Sequence, residues 1–137
     1  MDKPVDNSFP SATILLVDDS IIIRRHLSSI LKRMGIRNIH FAEDGATALR
    51  EVKVRPYDLV MLDWNMPHVS GLDALRAMRA DEVTRKTPII MVTGEALREN
   101  IIAAVQGGAN DYIVKPYTEE MVINKVSSIL RKKAPVA

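Results

Sequence analysis

Cysteine is absent from the 137 residues. That excludes a disulfide scaffold, a thiolate zinc site and a thiol nucleophile. Neither sign of charge dominates: 19 Lys and Arg against 17 Asp and Glu leave +2, too little for a nucleic-acid or membrane footprint. No apolar run is long enough to span a bilayer, and residues 1–11 lack the apolar stretch of a signal peptide. These absences predict a cytoplasmic protein that binds neither nucleic acid nor membrane directly. Repeats and low-complexity tracts are missing too. Without a G-x-G-x-x-G or Walker A pattern after the first apolar run, nucleotide binding by those routes is disfavoured. No G-x-S-x-G elbow presents a serine nucleophile. His26, His40 and His68 stand in three separate segments without metal-ligand spacing and read as surface or turn residues.

What is present suits one folded domain. Apolar residues make up 47% of the chain and charged residues 26%, enough to build a core. Polar, proline-bearing residues 1–11 read as a flexible leader, residues 12–133 as the domain and 134–137 as a frayed tail. Ile14-Leu15-Leu16-Val17, Leu59-Val60-Met61-Leu62, Ile89-Ile90-Met91-Val92 and Tyr112-Ile113-Val114 are short continuous apolar runs, the pattern of strands buried on both faces of a parallel sheet. Ile39 and Phe41 alternate and fit a strand near an edge. Ile23, Leu27, Ile30, Leu31 and Met34 follow helical period, and Gly35 supplies a stop. Val122, Val126, Ile129 and Leu130 repeat that pattern. Glu119 and Glu120 open this last helix and Arg131, Lys132 and Lys133 close it, as the helix dipole favours. Further helices are predicted near residues 43–55, 72–80 and 95–106. Five βα units in succession predict a doubly wound α/β sandwich.

In such folds ligands bind beyond the carboxyl ends of the strands. Asp18 and Asp19 follow the first strand, Asp63 the third, Thr93 the fourth and Lys115 the fifth. Three carboxylates gathered there repel one another unless a cation joins them. Mg²⁺ suits the set, because it takes one or two carboxylates and completes its shell with water and phosphate oxygens. With Mg²⁺ and Lys115 neutralising the site, Asp63 can attack phosphorus and form an aspartyl phosphate. Lys115 and Thr93 would then hold the phosphoryl oxygens. Each residue also has a plainer reading. Asp18 and Asp19 could cap a helix, Asp63 could open the turn at Met66-Pro67, Thr93 could cap the fourth helix, and Lys115 could be a solvated loop residue. The functional reading rests on five such residues meeting at one edge.

Residues 14–20 (ILLVDDS), 61–67 (MLDWNMP), 91–95 (MVTGE) and 108–116 (GANDYIVKP) resemble the receiver domains of two-component response regulators, over about residues 12–133. Asp63-Trp64-Asn65-Met66-Pro67 and Glu99-Asn100-Ile101-Ile102-Ala103-Ala104 are similar to the single-domain chemotaxis regulators among them. The resemblance implies a flavodoxin-like (βα)5 fold with a five-stranded parallel sheet of order 2-1-3-4-5. It makes Asp63 the phosphoacceptor, with Thr93 and Lys115 on the phosphoryl group. It assigns Mg²⁺ to Asp18, Asp19, Asp63 and the backbone carbonyl of Asn65. Thr93 and Tyr112 would be the switch pair, and Ile101, Val105, Tyr112 and Lys125 would belong to the output face. In the family the peptide bond corresponding to Lys115-Pro116 is cis. Asn65 and Glu95 occupy positions that tune hydrolysis there. Two departures stand out: His68-Val69-Ser70 replaces a turn that often carries an acid, and Leu97 stands where a basic residue is usual.

The function so implied is a phosphorylation-activated switch acting in chemotaxis or motility. A sensor histidine kinase or phosphotransfer protein would supply the phosphoryl group, and a downstream protein such as the flagellar motor switch would read the activated form. The chain would be a monomer and would catalyse only its own phosphoryl transfer and dephosphorylation. Three rivals remain open. A receiver fragment of a DNA-binding regulator would keep the chemistry, although no linker begins after Lys133. A small Mg²⁺-dependent aspartyl phosphatase needs a general acid near the nucleophile, which Asn65 does not supply. A flavodoxin-like flavin binder conflicts with an acidic pocket.

Overall fold

The computed structural model describes residues 9–94 and 98–133. Ten elements alternate along the chain: β1 (Thr13–Val17), α1 (Ile21–Arg33), β2 (Asn38–Ala42), α2 (Gly45–Val54), β3 (Leu59–Asp63), α3 (Gly71–Ala80), β4 (Ile89–Thr93), α4 (Arg98–Gln106), β5 (Asp111–Val114) and α5 (Glu119–Lys133). The strands form one parallel sheet in the order β2-β1-β3-β4-β5, the (βα)5 arrangement expected. Of the helix predicted near residues 95–106, the part at 98–106 is α4; Glu95 and Leu97 lie outside the described residues, as do residues 1–8 of the leader and the tail at 134–137.

Strand alternation divides the core in two. Ile14, Leu16, Leu59, Met61, Ile90, Val92 and Ile113 pack with residues of α1 and α5. Leu15, Val17, Val60, Leu62, Ile89 and Met91 pack with residues of α2, α3 and α4. The three central strands are buried throughout or nearly so. Both faces being covered explains their unbroken apolarity. The edge strand β2 is less covered than the central strands, and Phe41 on it is exposed. At the other edge, β5 differs from the expectation of burial on both faces: Tyr112 and Val114 are only half-buried. With one neighbouring strand instead of two, it receives less cover than β1, β3 and β4. Phe9 packs partly against the α1/α5 side of the core.

Local signals fix the helix ends. The Ser20 hydroxyl accepts from Ile23 N, Asp44 from Thr47 N and Ser70 from Asp73 N, so each side chain satisfies an orphan amide of its first turn. Gly35, at φ 85°, ends α1, with its N–H on Lys32 O and that of Ile36 on Leu31 O. This is a left-handed residue just past a helix, where glycine carries no steric penalty. Among the described residues no helix is long and apolar enough to cross a membrane.

Candidate functional site

Because all five strands are parallel, their carboxyl ends meet at one edge. Asp63 and Thr93 are the last residues of β3 and β4, while Asp18 and Lys115 directly follow β1 and β5. Asp63 pairs with Val92, and Thr93 with Val114. Residue parity carries one further distinction. Asp18, Asp63 and Lys115 continue the positions that face α1 and α5, whereas Thr93 and Tyr112 continue the positions that face α4.

Asp18, Asp19 and Asp63 each offer a carboxylate oxygen, and these oxygens all lie within 4.8 Å of one another. Asp18 and Asp63 are buried and Asp19 is exposed. Oxygen donors of this kind fit a hard divalent cation. Lys115 Nζ donates to Asp63 Oδ1 at 3.0 Å and approaches Asp18 Oδ2 at 3.5 Å. Burial, opposed by the Lys115 hydrogen bond but reinforced by Asp18 and Asp19, pushes Asp63 up to about 6. Burial alone would lower the Lys115 ammonium; its hydrogen bond to Asp63 and the charges of Asp63 and Asp18 outweigh this and raise it. The plainer reading of Asp18 and Asp19 as helix caps does not describe the geometry, since Ser20 is the N-cap. Asp18 Oδ1 instead accepts from Ser20 N, and its backbone carbonyl accepts from the Arg24 guanidinium.

The loop after β3 is held against the neighbouring strand. Trp64 N donates to Val92 O at 3.0 Å, and Gly71 N donates to Trp64 O at 2.9 Å. Asp19, Trp64, Asn65, Met66, Pro67 and Ser70 line an open cleft of about 320 Å³ beside the acidic cluster. Thr93 is buried, and its carbonyl accepts from Lys115 N at 2.7 Å, tying the lysine backbone to β4. The Lys115-Pro116 bond is cis.

On the α4 side, Tyr112 pairs with Met91 in the strand register and is half-buried. Val105 is exposed and Ile101 half-buried on α4. Lys125 of α5 holds its ammonium 5.0 Å above the Tyr112 ring centre.

The sequence profile of the response regulator receiver domain matches residues 14–127. The chain belongs to the response regulator receiver family. It is 43% identical over 119 residues to the chemotaxis protein CheY of Pseudomonas aeruginosa, covering 87% of this chain and 96% of that protein. With CheY-3 of Vibrio cholerae it shares 44% over 119 residues, covering 87% and 92%. Among solved structures, CheY4 of Vibrio cholerae superposes with a TM-score of 0.80 at 33% identity, covering 87% of this chain and 98% of that one. The receiver domain of a sensor histidine kinase from Pseudomonas aeruginosa, solved with a magnesium ion in its active-site cleft, superposes with a TM-score of 0.80 at 30% identity, covering 88% and 98%. The chain is thus a CheY-like receiver, a two-component signalling switch.

Two contacts of this receiver had no sequence signal. Arg24 reaches the backbone of Asp18 from α1. Asp111 accepts from Lys125 across 14 positions of chain. The three histidines hold no metal-like grouping among the described residues. His26 stacks on Tyr117, His40 meets Tyr57 edge-on, and His68 sits in a loop at φ 67°.

Proposed function

We propose that this receiver accepts a phosphoryl group on Asp63 from a sensor histidine kinase or a phosphotransfer protein, and that phosphorylation changes its affinity for a downstream protein in chemotaxis or motility. The convergence of Asp18, Asp19 and Asp63 on one point, with Lys115 bonded to Asp63, carries this reading. The Asp63 carboxylate oxygen attacks phosphorus, the donor nitrogen–phosphorus bond breaks, and its electron pair returns to the donor imidazole. Asp18, Asp19, Asp63 and the Asn65 backbone carbonyl would hold Mg²⁺, which supplies positive charge for the phosphoryl oxygens when bound. Lys115 leaves its resting carboxylate contacts to bind a phosphoryl oxygen, and the Thr93 hydroxyl takes another. Burial of Asp63 limits water at the site and strengthens these contacts.

Movement of Thr93 toward the phosphoryl group opens space on the α4-facing side of the sheet for Tyr112. That alters the face made by Ile101, Val105, Tyr112 and Lys125, and the flagellar motor switch is the proposed reader. The protein works as a monomer in the cytoplasm and turns over no outside substrate. Acetyl phosphate with Mg²⁺ tests the covalent step: mass spectrometry should find one hydroxylamine-labile phosphoryl group on Asp63 and none in Asp63→Asn. A label on serine, threonine or histidine instead would overturn the assignment.

A further inference from the structure

We propose that Asp111 is a positioning residue for Tyr112: its carboxylate holds the Lys125 ammonium over the tyrosine ring and so sets the ring's resting orientation. The inference rests on the reading of Tyr112 as the switch residue. One oxygen, Asp111 Oδ1, accepts from Lys125 Nζ at 2.8 Å and from Tyr112 N at 2.8 Å. The same ammonium lies 5.0 Å from the Tyr112 ring centre. One carboxylate therefore fixes both the backbone of Tyr112 and the cation above its face.

The pair is half-buried, with side-chain exposures of 30% for Lys125 and 31% for Asp111, so water and salt screen it only in part. A cation over an aromatic face is attracted by the ring quadrupole. A lysine on its flexible stem would otherwise extend its head into water. Asp111 supplies the anchor that keeps it over the ring. Tyr112 is consequently held by the Lys125 ammonium at rest, and a ring that turns away must give up that contact. Asp111 touches neither Asp63 nor the metal-ligating carboxylates in any described contact, so it sets the readiness of the output face and leaves the chemistry at Asp63 alone.

The test uses the full chain and reads the Tyr112 ring by NMR, through its shifts and side-chain rotamer ratio. Asp111→Asn keeps an oxygen for the Tyr112 amide and removes the charge. It should change the rotamer ratio about 2- to 5-fold. Lys125→Met should give the same change. Added salt should move the wild-type signals toward those of Asp111→Asn and leave the variant unmoved. In a Lys125→Met background, Asp111→Asn should add nothing. The proposal is overturned if Asp111→Asn leaves the ring unchanged, or if it acts equally in the Lys125→Met background. Beryllofluoride with Mg²⁺ on the wild type separates the two readings. Should it leave Tyr112 unmoved while Asp111→Asn moves it, the clamp stands and the switch role of Tyr112 falls.

Discussion

Lys115 Nζ lies 3.0 Å from Asp63 Oδ1, although 52 positions of chain separate the two residues. The contact joins the ends of β3 and β5, which are not neighbours in the sheet; β4 lies between them. It also sets the electrostatics of the edge. Burial first, and then the charges of Asp18 and Asp19, keep Asp63 raised to about 6 in spite of this ammonium. A cation entering the cluster would relieve the repulsion among Asp18, Asp19 and Asp63 and favour the ionised form of Asp63.

Trp64 follows Asp63 and lines the cleft shared with Asp19, so its fluorescence should respond to millimolar Mg²⁺. Asp19→Ala should abolish the response, and Asp2→Ala should preserve it. A wild-type signal indifferent to Mg²⁺ would count against a metal site at this edge.

The raised Asp63 carboxyl has a consequence for stability. Its folded pKa, about 6, stands above the ordinary 3.8, so between these values the folded state holds more protons than the unfolded one. Stability contributed by the protonated carboxyl is present below about pH 4 and is lost as pH rises through about 6. Asp63→Asn should therefore stabilise the Mg²⁺-free protein near pH 7 by about 1–2 kcal/mol, once the lost bond to Lys115 is offset. The gain should vanish below about pH 4. Thermal melts across this range would reveal it, and a variant less stable than wild type at neutral pH would contradict the assignment.

Gly71 packs against the backbone of Asp63 and Trp64. A Cβ there would stand 2.0 Å from Asp63 O and 2.8 Å from Trp64 Cα, and neither backbone atom can rotate away. Gly71→Ala should destabilise the fold by about 1–3 kcal/mol and weaken the Trp64 response to Mg²⁺. Gly94→Ala is the control, because nothing lies within 4 Å of the added carbon. Equal melting temperatures for the two variants would refute this account of the loop.

The strands were legible wherever burial on both faces left an unbroken apolar run, as in Leu59–Asp63 and Ile89–Thr93. Phe41 marked an edge by alternation. The edge position of β5 was not legible from Tyr112-Ile113-Val114 alone, because it depends on strand order, which is a property of the whole sheet. The acidic cluster could be read because fold topology, acting on strand ends, collects Asp18, Asp19, Asp63 and Lys115 without detailed side-chain knowledge. The contacts of Asp111 with Lys125 and of Arg24 with Asp18 depend on rotamers and on how α5 and α1 lie against the sheet. No local spacing encodes them.

The most direct measurement of the switch is the spread of NMR chemical-shift changes when beryllofluoride and Mg²⁺ occupy Asp63. Changes should begin at Asp18, Asp19 and Asp63 and extend through Thr93 to Tyr112, Ile101 and Val105. In Thr93→Ala, beryllofluoride should still bind while the distant changes are lost. Changes in the wild type that stop at the pocket and never reach Tyr112 would contradict the switch.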